Sequence, residues 1–229
     1  MFQWLGIKAI CALCGHYHDN HTVLCDFCIH LLIPIKYSCK YCMQPLVDDK
    51  LLICGYCIKK RPYFDRIITN YLFIEPLRTL LHDFKYNHAL YLRDFFAQLM
   101  LKNQQIYTID PPDCLIPMPL HKKRIKSRGF NQAAEITKLL SKALKIAYNN
   151  NICKKILHTA PQVGLTAVQR YKNLQNSFIV KKSQYKYVVI VDDLVTTGST
   201  ANELAKVCKQ SGIERVDIWC CARAIHHTS

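Results

Sequence analysis

The fold is decided by one stretch, Val188-Val189-Ile190-Val191-Asp192-Asp193-Leu194-Val195-Thr196-Thr197-Gly198-Ser199-Thr200. With Tyr187 in front of it, the stretch opens on an unbroken apolar run, which is typical of a central parallel strand covered on both faces. A Thr/Gly/Ser loop follows, and residues 198–200 open a segment predicted to be a helix that stops at Gly212. The order of strand, loop and helix predicts a parallel α/β sheet.

The residues after the apolar run carry the chemistry. Ligands of open α/β sheets bind at the carboxyl ends of the strands, and Asp192 and Asp193 stand where the hydroxyls of a sugar or a magnesium ion would lie. Gly198 lets the backbone approach an anion, and hydroxyls with the N–H groups of a helix start can cradle a phosphate. The alternative is a solvated strand end. The predicted phosphate-binding residues are Thr196, Thr197, Gly198, Ser199 and Thr200.

Strands and helices alternate through the rest of the chain. Apolar residues recur at helical spacing in several segments, and Asn131 is a suitable N-cap for the third of them. The predicted helices are 77–87, 92–100 and 131–146, and the predicted strands are 67–74, 114–116 and 216–220. The expected fold class is therefore α/β with a mostly parallel sheet.

The N-terminal quarter is rich in cysteine. Eight of the 13 cysteines lie within the first 57 residues, in four Cys-x-x-Cys pairs. Two such pairs complete a tetrahedral four-thiolate site, so the spacing favours two structural zinc ions over a redox pair or an iron–sulfur centre. Sequential and crossed combinations of the pairs both remain open. The predicted ligands are Cys11, Cys14, Cys25, Cys28, Cys39, Cys42, Cys54 and Cys57.

The chain is strongly basic. Its 229 residues carry 31 Lys and Arg against 16 Asp and Glu, a formal net charge of +15, and 50% of them are hydrophobic. This composition argues against disorder and favours polyanionic partners: nucleic acid, phosphorylated small molecules or an acidic membrane surface. The basic run 121–130 is predicted to meet pyrophosphate or a nucleic-acid backbone, with a solvated loop as the alternative. Its candidates are Lys122, Lys123, Arg124 and Arg128; Lys85 either faces phosphate or ends a solvated helix.

These features divide the chain into two parts. A boundary near residues 59–62 separates a double zinc ribbon, 1–61, from a larger α/β domain, 62–229. Because the sequence has no run of about 18 apolar residues, no membrane span is expected. The first residues lack the basic stretch and the cleavage site of a signal peptide, so we expect a soluble protein of the cytoplasm.

The stretch 188–200 resembles the phosphoribosyl pyrophosphate (PRPP) motif of the type I phosphoribosyltransferases. The resemblance implies that Asp192 and Asp193, as the catalytic acids, hold the ribose hydroxyls, and that the loop 196–200 holds the 5′-phosphate. It also implies the fold of that family and a magnesium ion bound with PRPP.

Two further blocks resemble the ComF/GntX family, whose members also carry N-terminal zinc ribbons. The first is Pro117-Met-Pro-Leu, followed by the basic run and Arg128-Gly-Phe-Asn-Gln132; the second is Thr159-Ala-Pro-Gln-Val-Gly-Leu165. Within and after the second block, Gln162, Arg170 and Asn173 are expected on a flexible loop over the PRPP site; the alternative is that they pin that loop in place. The resemblance implies a ComF-type protein of natural competence that handles incoming single-stranded DNA, with a helicase and other transformation proteins as partners.

Three functions follow as hypotheses. The first is a PRPP-binding protein that handles single-stranded DNA during transformation. The second is an active magnesium-dependent phosphoribosyltransferase on an unidentified acceptor; Thr196 weakens it, because purine-salvage members usually place an acid at the matching position. The third is a zinc-ribbon scaffold that only joins partners. Release of pyrophosphate from PRPP discriminates the second from the first, and salt-dependent DNA binding discriminates the first from the third.

Overall fold

A computed structural model of the protein describes residues 8–20, 22–87, 89–102, 107, 110–157 and 175–225. Its strands are β1 (Ala9–Ile10), β2 (Tyr17–His18), β3 (Arg66–Ile68), β4 (Tyr71–Leu72), β5 (Cys114–Pro117), β6 (Cys153–Lys155), β7 (Phe178–Val180), β8 (Tyr187–Val195) and β9 (Arg215–Arg223). Its helices are α1 (Asp26–His30), α2 (Gly55–Lys59), α3 (Leu77–Tyr86), α4 (Leu92–Leu101), α5 (Lys122–Arg128), α6 (Gln132–Leu144) and α7 (Ser199–Gln210). No helix among these residues is long and apolar enough to cross a lipid bilayer.

A five-stranded parallel sheet forms the centre of the molecule. Its strand order is β3-β9-β8-β5, and β4 also pairs with β9 beyond the end of β3. Strand β8 pairs along almost its whole length with β9, from Tyr187 opposite Arg215 to Val195 opposite Arg223. The expected mostly parallel α/β fold is thus confirmed, with the apolar run 187–191 buried in the middle of the sheet.

Both faces of the sheet are covered, and successive residues of β8 point to opposite faces. Val189 and Val191 pack into a core with α3, α4 and α6. Val188 and Ile190 pack into a second core with the apolar side of α7. The apolar run 187–191 suits this arrangement, because neither face of that part of the strand meets water.

The cysteine-rich region is attached to the same two cores. Cys11 and Cys28 are buried in the core that contains α3 and α4, whereas Cys39, Cys42 and Cys57 are buried in the core that contains α7. Backbone hydrogen bonds also join this region to the sheet edge: the N–H of residue 67 donates to the carbonyl of residue 41 at 2.7 Å, and that of residue 72 to residue 33 at 3.0 Å. The division of the chain at residue 61 stays a prediction.

Two segments differ from the sequence-based expectation. The strand predicted over 67–74 is two short strands, β3 and β4, which pair one after the other with β9. The basic run, for which a solvated loop was one alternative, forms the short helix α5. The His121 side chain accepts a hydrogen bond from the Lys123 N–H at its start, and Gly129, with φ of 85°, ends it in the left-handed conformation. Asn131 caps α6 as predicted, accepting from the Ala133 N–H.

Candidate functional site

A cleft of about 230 Å³ opens at the carboxyl ends of β5 and β8. The starts of α6 and α7 and one side of α5 form its walls, as expected for a ligand site in a parallel α/β sheet. Both predicted carboxylates and all five predicted loop residues line it: Asp192, Asp193, Thr196, Thr197, Gly198, Ser199 and Thr200.

The loop after β8 turns sharply at Gly198. This residue has a φ of 78°, a left-handed conformation that favours glycine. The hydroxyls of Thr197 and Ser199 lie 2.9 Å apart, and the Ser199 N–H donates to the Thr197 hydroxyl at 3.2 Å. Helix α7 begins directly at Ser199. The start of a helix attracts anions, so the loop offers hydroxyls and a favourable dipole to a phosphate.

The two carboxyl groups differ in their surroundings. Asp193 is buried, and its Oδ2 atom lies 2.9 Å from Nζ of Lys85. Asp192 is half-buried and accepts a hydrogen bond from the Asp193 N–H at 2.9 Å. Burial, followed by the charge of Asp193, raises the pKa of Asp192 well above its ordinary value. A divalent cation or the hydroxyls of a sugar would stabilise the ionised form of this carboxyl, which is chemistry that the pair can offer to magnesium or ribose.

Four cationic side chains line the cleft together with the two carboxyl groups: Lys85, Arg124, Arg128 and Lys155. The Arg128 guanidinium donates to Oε1 of Gln132 at 2.7 Å and lies 5.0 Å from the ring centre of Tyr86. Burial, followed by the charge of Arg124, lowers the pKa of Lys155. The excess of cations gives the cleft the electrostatic character of a site for a polyanion.

The predicted basic residues separate into two groups. Arg124 and Arg128 line the cleft, whereas Lys122 and Lys123 are exposed on α5 and are not among its lining residues. Lys85 lines the cleft and pairs with Asp193, so it does not end a solvated helix, and its contact with a phosphate stays a prediction. The predicted loop residues Gln162, Arg170 and Asn173 lie outside the described part of the chain.

Lys155 was missed by the sequence analysis. It ends β6, which forms an antiparallel pair with β7 and places Lys155 opposite Phe178. Its Nζ atom lies 5.6 Å from the centre of the Phe178 ring. The sequence around it contains no motif, because its position depends on pairing with a strand more than 20 residues away. Only the alternation of buried Cys153, exposed Lys154 and partly buried Lys155 carries a signal, and it is too short to be recognised alone.

The eight N-terminal cysteines form two groups of four, each with its sulfur atoms within 4.8 Å of one another. The groups combine the pairs sequentially, which answers the pairing question: Cys11, Cys14, Cys25 and Cys28 form group 1, and Cys39, Cys42, Cys54 and Cys57 form group 2. Within them, one sulfur–sulfur distance is 3.8 Å and another is 3.6 Å. A tetrahedron with metal–sulfur bonds of about 2.3 Å has edges of about 3.8 Å, so both groups fit a metal ion.

The chemistry of the thiols supports the same fit. Burial, followed by the charge of Cys42, raises the pKa of the Cys57 thiol. Burial opposes the ionisation of Cys39 in the same group, but backbone hydrogen bonds outweigh it and lower the pKa of that thiol to about 7. Mutual repulsion opposes the ionisation of all four adjacent thiols without a cation, whereas a bound metal ion stabilises all four thiolates. Four sulfur ligands leave no open coordination position, which is typical of a structural and not a catalytic metal site.

The fold and the cleft define a class: an α/β protein with a cleft lined by cations and hydroxyls at the carboxyl ends of a parallel sheet, and with two four-cysteine groups. Competence protein F of Haemophilus influenzae is 34% identical over 218 residues, which cover 92% of this chain and 94% of that protein. DNA utilization protein YhgH of Escherichia coli K12 is 30% identical over 227 residues, covering 96% of this chain and all of that one. The chain belongs to the family of these two proteins, which confirms the resemblance to ComF.

Two solved structures overlap with this chain to a smaller extent and at lower sequence identity. A Trypanosoma cruzi hypoxanthine phosphoribosyl transferase structure overlaps with a TM-score of 0.36 and 15% identity, covering 56% of this chain and 63% of that one. An adenine phosphoribosyltransferase structure overlaps with a TM-score of 0.36 and 17% identity, covering 63% and 75%. No family model matches the chain.

Proposed function

We propose that this protein acts in DNA uptake during natural transformation, binding PRPP in its cleft and handling incoming single-stranded DNA in the cytoplasm. The names of its relatives, competence protein F and DNA utilization protein, support the role in DNA uptake. The assignment of PRPP to the cleft is supported by the residues that line it: two carboxyl groups, a hydroxyl-rich loop and four cations.

PRPP has a part for each side of the cleft. The ribose hydroxyls are assigned to Asp192 and Asp193, and the 5′-phosphate to the loop 196–200 at the start of α7. The pyrophosphate group is assigned to Lys85, Arg124, Arg128 and Lys155, whose charges attract it. Magnesium, bound with the ligand, would neutralise part of the phosphate charge, and Asp192 is the carboxyl group placed to hold it.

Single-stranded DNA is assigned to the outer side of α5. Lys122 and Lys123 are exposed there, beside the mouth of the cleft but outside it. Exposed lysines attract phosphates without reading sequence, which suits a protein that takes up DNA of any origin. The competence helicase and other transformation proteins are the partners we expect at this stage of uptake.

Zinc is the metal we assign to the two cysteine groups, one ion to each. Four thiolates around a closed tetrahedron are the ligand set of structural zinc sites. When bound, the ions supply folding free energy to a region that has little core of its own. The bound ions then fix the positions of the buried cysteines on either side of the sheet, Cys11 and Cys28 in one core and Cys39 and Cys57 in the other.

Binding is proposed in preference to turnover. The carboxyl groups that line the cleft, among the described residues, are Asp192 and Asp193, and both are assigned to the ribose. The segment 158–174, which the structure does not describe, contains no Asp or Glu in its sequence. A general base for an incoming nucleobase therefore has no candidate carboxylate near the site.

Calorimetric titration of the full-length protein with PRPP and Mg²⁺ tests the proposal. We expect saturable binding to the unaltered protein. The Asp192→Asn/Asp193→Asn variant should bind with a Kd at least tenfold higher, because tenfold in Kd corresponds to the free energy of about one charged hydrogen bond. Glu214→Gln, which changes an exposed carboxylate at the opposite edge of the sheet, is the matched control and should bind normally. Absence of heat with the unaltered protein would overturn the PRPP assignment. Repeating the titration with a bound oligonucleotide measures whether the two ligands are coupled.

A further inference from the structure

The phosphate loop, residues 196–200 with the end of β8, is connected to cysteine group 2 through the side chain of Arg223. Arg223 ends β9, and its side chain is buried, with 2% of the residue exposed. Its Nε atom donates to the carbonyl of Cys42 at 2.8 Å. Its Nη1 atom donates to the carbonyls of Val195, at 3.2 Å, and of Thr196. A single guanidinium therefore joins a metal-site residue to the two residues at which the phosphate loop begins.

The segment that follows group 2 makes a second connection. The Tyr63 N–H donates to the side chain of Asn202, in the first turn of α7, at 2.6 Å. The ring of Phe64 packs against the loop at Gly198, where a Cβ atom would lie 3.8 Å from the nearest ring atom. The loop is thus held from one side by Arg223 and from the other by residues 63 and 64, and both supports lead to group 2.

Group 1 provides the contrast. Cys11 and Cys28 are buried with α3 and α4, in the core on the opposite face of the sheet from α7. The loop 196–200 opens α7, and Ala201, in the first turn of that helix, is buried in the core that holds group 2. The two metal sites resemble each other in ligands but are buried in different cores, so each can serve as a control for the other.

The contact of Arg223 depends on the metal because the carbonyl that it binds belongs to a metal-holding turn. The Met43 N–H donates to the Cys39 carbonyl, and the Cys39 N–H to the Gln44 carbonyl, both at 2.9 Å, so Cys42, itself a ligand, lies inside a tight turn that begins at the ligand Cys39. Without the metal ion the four thiols no longer hold this turn in place. A buried guanidinium that loses an acceptor must find another, and its remaining acceptors are the carbonyls of the phosphate loop and of Ala224.

We infer that the metal ion of group 2 sets the geometry of the phosphate loop through Arg223, so that metal and phosphoribosyl ligand bind with positive coupling. This inference rests on the proposed function, since it concerns the same cleft. Arg223 is a positioning residue in this account: it contacts the loop carbonyls and not the ligand. By thermodynamic reciprocity, the ligand must tighten the binding of the metal in group 2 by the same factor, and couplings of this kind are typically about tenfold.

The first test is a pair of arginine variants on the same strand. Arg223→Lys keeps the charge but loses the fork that spans Cys42 and the loop. Arg215→Lys, at the amino end of β9, changes an arginine that binds Asp110 and Asp217 far from the cleft. Titration with PRPP and Mg²⁺, with metal content measured in parallel, should give an approximately tenfold higher Kd for Arg223→Lys with two metals still bound, and an unchanged Kd for Arg215→Lys.

The outcomes separate the two proposals. If the unaltered protein does not bind PRPP, the proposed function fails and this inference fails with it. If the unaltered protein binds and Arg223→Lys binds equally well, the coupling alone is wrong. An equal loss in both arginine variants also overturns it, because the effect would then reflect general destabilisation of β9.

A second measurement begins with the unaltered protein. Release of metal to a chromophoric chelator is followed with and without ribose 5-phosphate, which contacts the loop but carries no chelating pyrophosphate. We expect one of the two ions to be released more slowly when the sugar phosphate is present. The Cys11→Ser/Cys14→Ser variant, which keeps only group 2, should retain this protection. Equal release rates with and without the ligand would contradict the inference.

Discussion

The Nζ atom of Lys85 lies 2.9 Å from the Oδ2 atom of Asp193, joining the last turn of α3 to the carboxyl end of β8. Both side chains are largely shielded from water, at 18% and 10% exposure. This ion pair keeps a cation beside the position assigned to the ribose and holds the walls of the cleft together. It also explains why a helix so rich in buried apolar residues ends on a lysine that points inward.

Replacement of Lys85 by methionine should destabilise the protein by about 2 kcal/mol, because it leaves the Asp193 carboxylate buried without its partner; the cost is below that of a fully buried pair since the cleft is open to water. Urea unfolding measures the change. The double variant Lys85→Met/Asp193→Asn should recover part of the loss. Lys138→Met, which removes the exposed pair with Glu135, should cost less than about 0.5 kcal/mol. Strict additivity of the two single changes would contradict the buried-pair explanation.

Substitution of Gly198 by alanine should lower the free energy of unfolding by about 1–2 kcal/mol, because a residue with a Cβ is strained at a φ of 78°. No steric clash contributes, since the nearest atoms to the new Cβ lie 3.8 Å away. Affinity for PRPP should fall as well, because the turn forms the phosphate site. Gly55→Ala, at a glycine with open space and no positive φ, is the matched control and should change the free energy of unfolding by less than about 0.5 kcal/mol. Equal effects in the two variants would count against a strained turn.

The contribution of Asp192 to the stability of the ligand-free protein should fall as pH rises above about 4, the ordinary pKa of an aspartate. Because the pKa of Asp192 is raised in the folded protein, the folded state binds this proton more tightly than the unfolded chain does. The free energy of unfolding therefore decreases from pH 4 up to the raised pKa and is constant above it, as far as this group is concerned. The Asp192→Asn variant should lack this component. A variant with the same pH profile as the unaltered protein would show that the carboxyl titrates normally.

Charge reversal of Lys122 and Lys123 to glutamate should weaken single-stranded oligonucleotide binding without changing the PRPP Kd by more than about twofold, because these residues lie outside the cleft. The slope of log affinity against log salt should become shallower as phosphate contacts are lost. Lys142→Glu, on the exposed far end of α6, is the charge-matched control for each single reversal, Lys122→Glu or Lys123→Glu. If that control weakens DNA binding equally, the DNA surface is not on α5.

Elemental analysis should find two zinc ions per chain, and one ion in the Cys14→Ser variant. Cys14 suits this test because it is the exposed member of group 1, so its replacement removes a ligand with little loss of packing. Cys114→Ser changes a fully buried thiol that belongs to neither group and should keep both ions. Two ions in Cys14→Ser would show that group 1 is not a four-thiolate site.

The parts of the molecule that the sequence predicted well share one property: their signal is local. The apolar run of β8, the turn at Gly198 and the start of α7 are consecutive in the chain. The four Cys-x-x-Cys pairs contain both ligands of each half-site within four residues, and only the combination of the pairs required the structure. Amphipathic spacing and an N-cap at Asn131 likewise sufficed for α6.

The residues that were missed owe their role to distant partners. Lys155 enters the cleft because β6 pairs with β7, and Arg223 reaches Cys42, 181 positions away in the chain. Each appears in the sequence as a basic residue at the end of a short strand, a pattern that more often marks a solvated end. Helix α5 was not predicted for a different reason. Its seven residues are all polar or exposed, so its sequence shows no apolar stripe at helical spacing.

The central position of β9 has a consequence for how the chain comes to be folded. This strand pairs with β3, β4 and β8, yet a ribosome synthesises it after every other strand described. Until residues 215–223 have emerged, the early strands and β8 have no common neighbour, and Cys42 lacks its contact with Arg223. Completion of the sheet must therefore wait for the last of its described strands to be made, and it requires the slow closure of long loops.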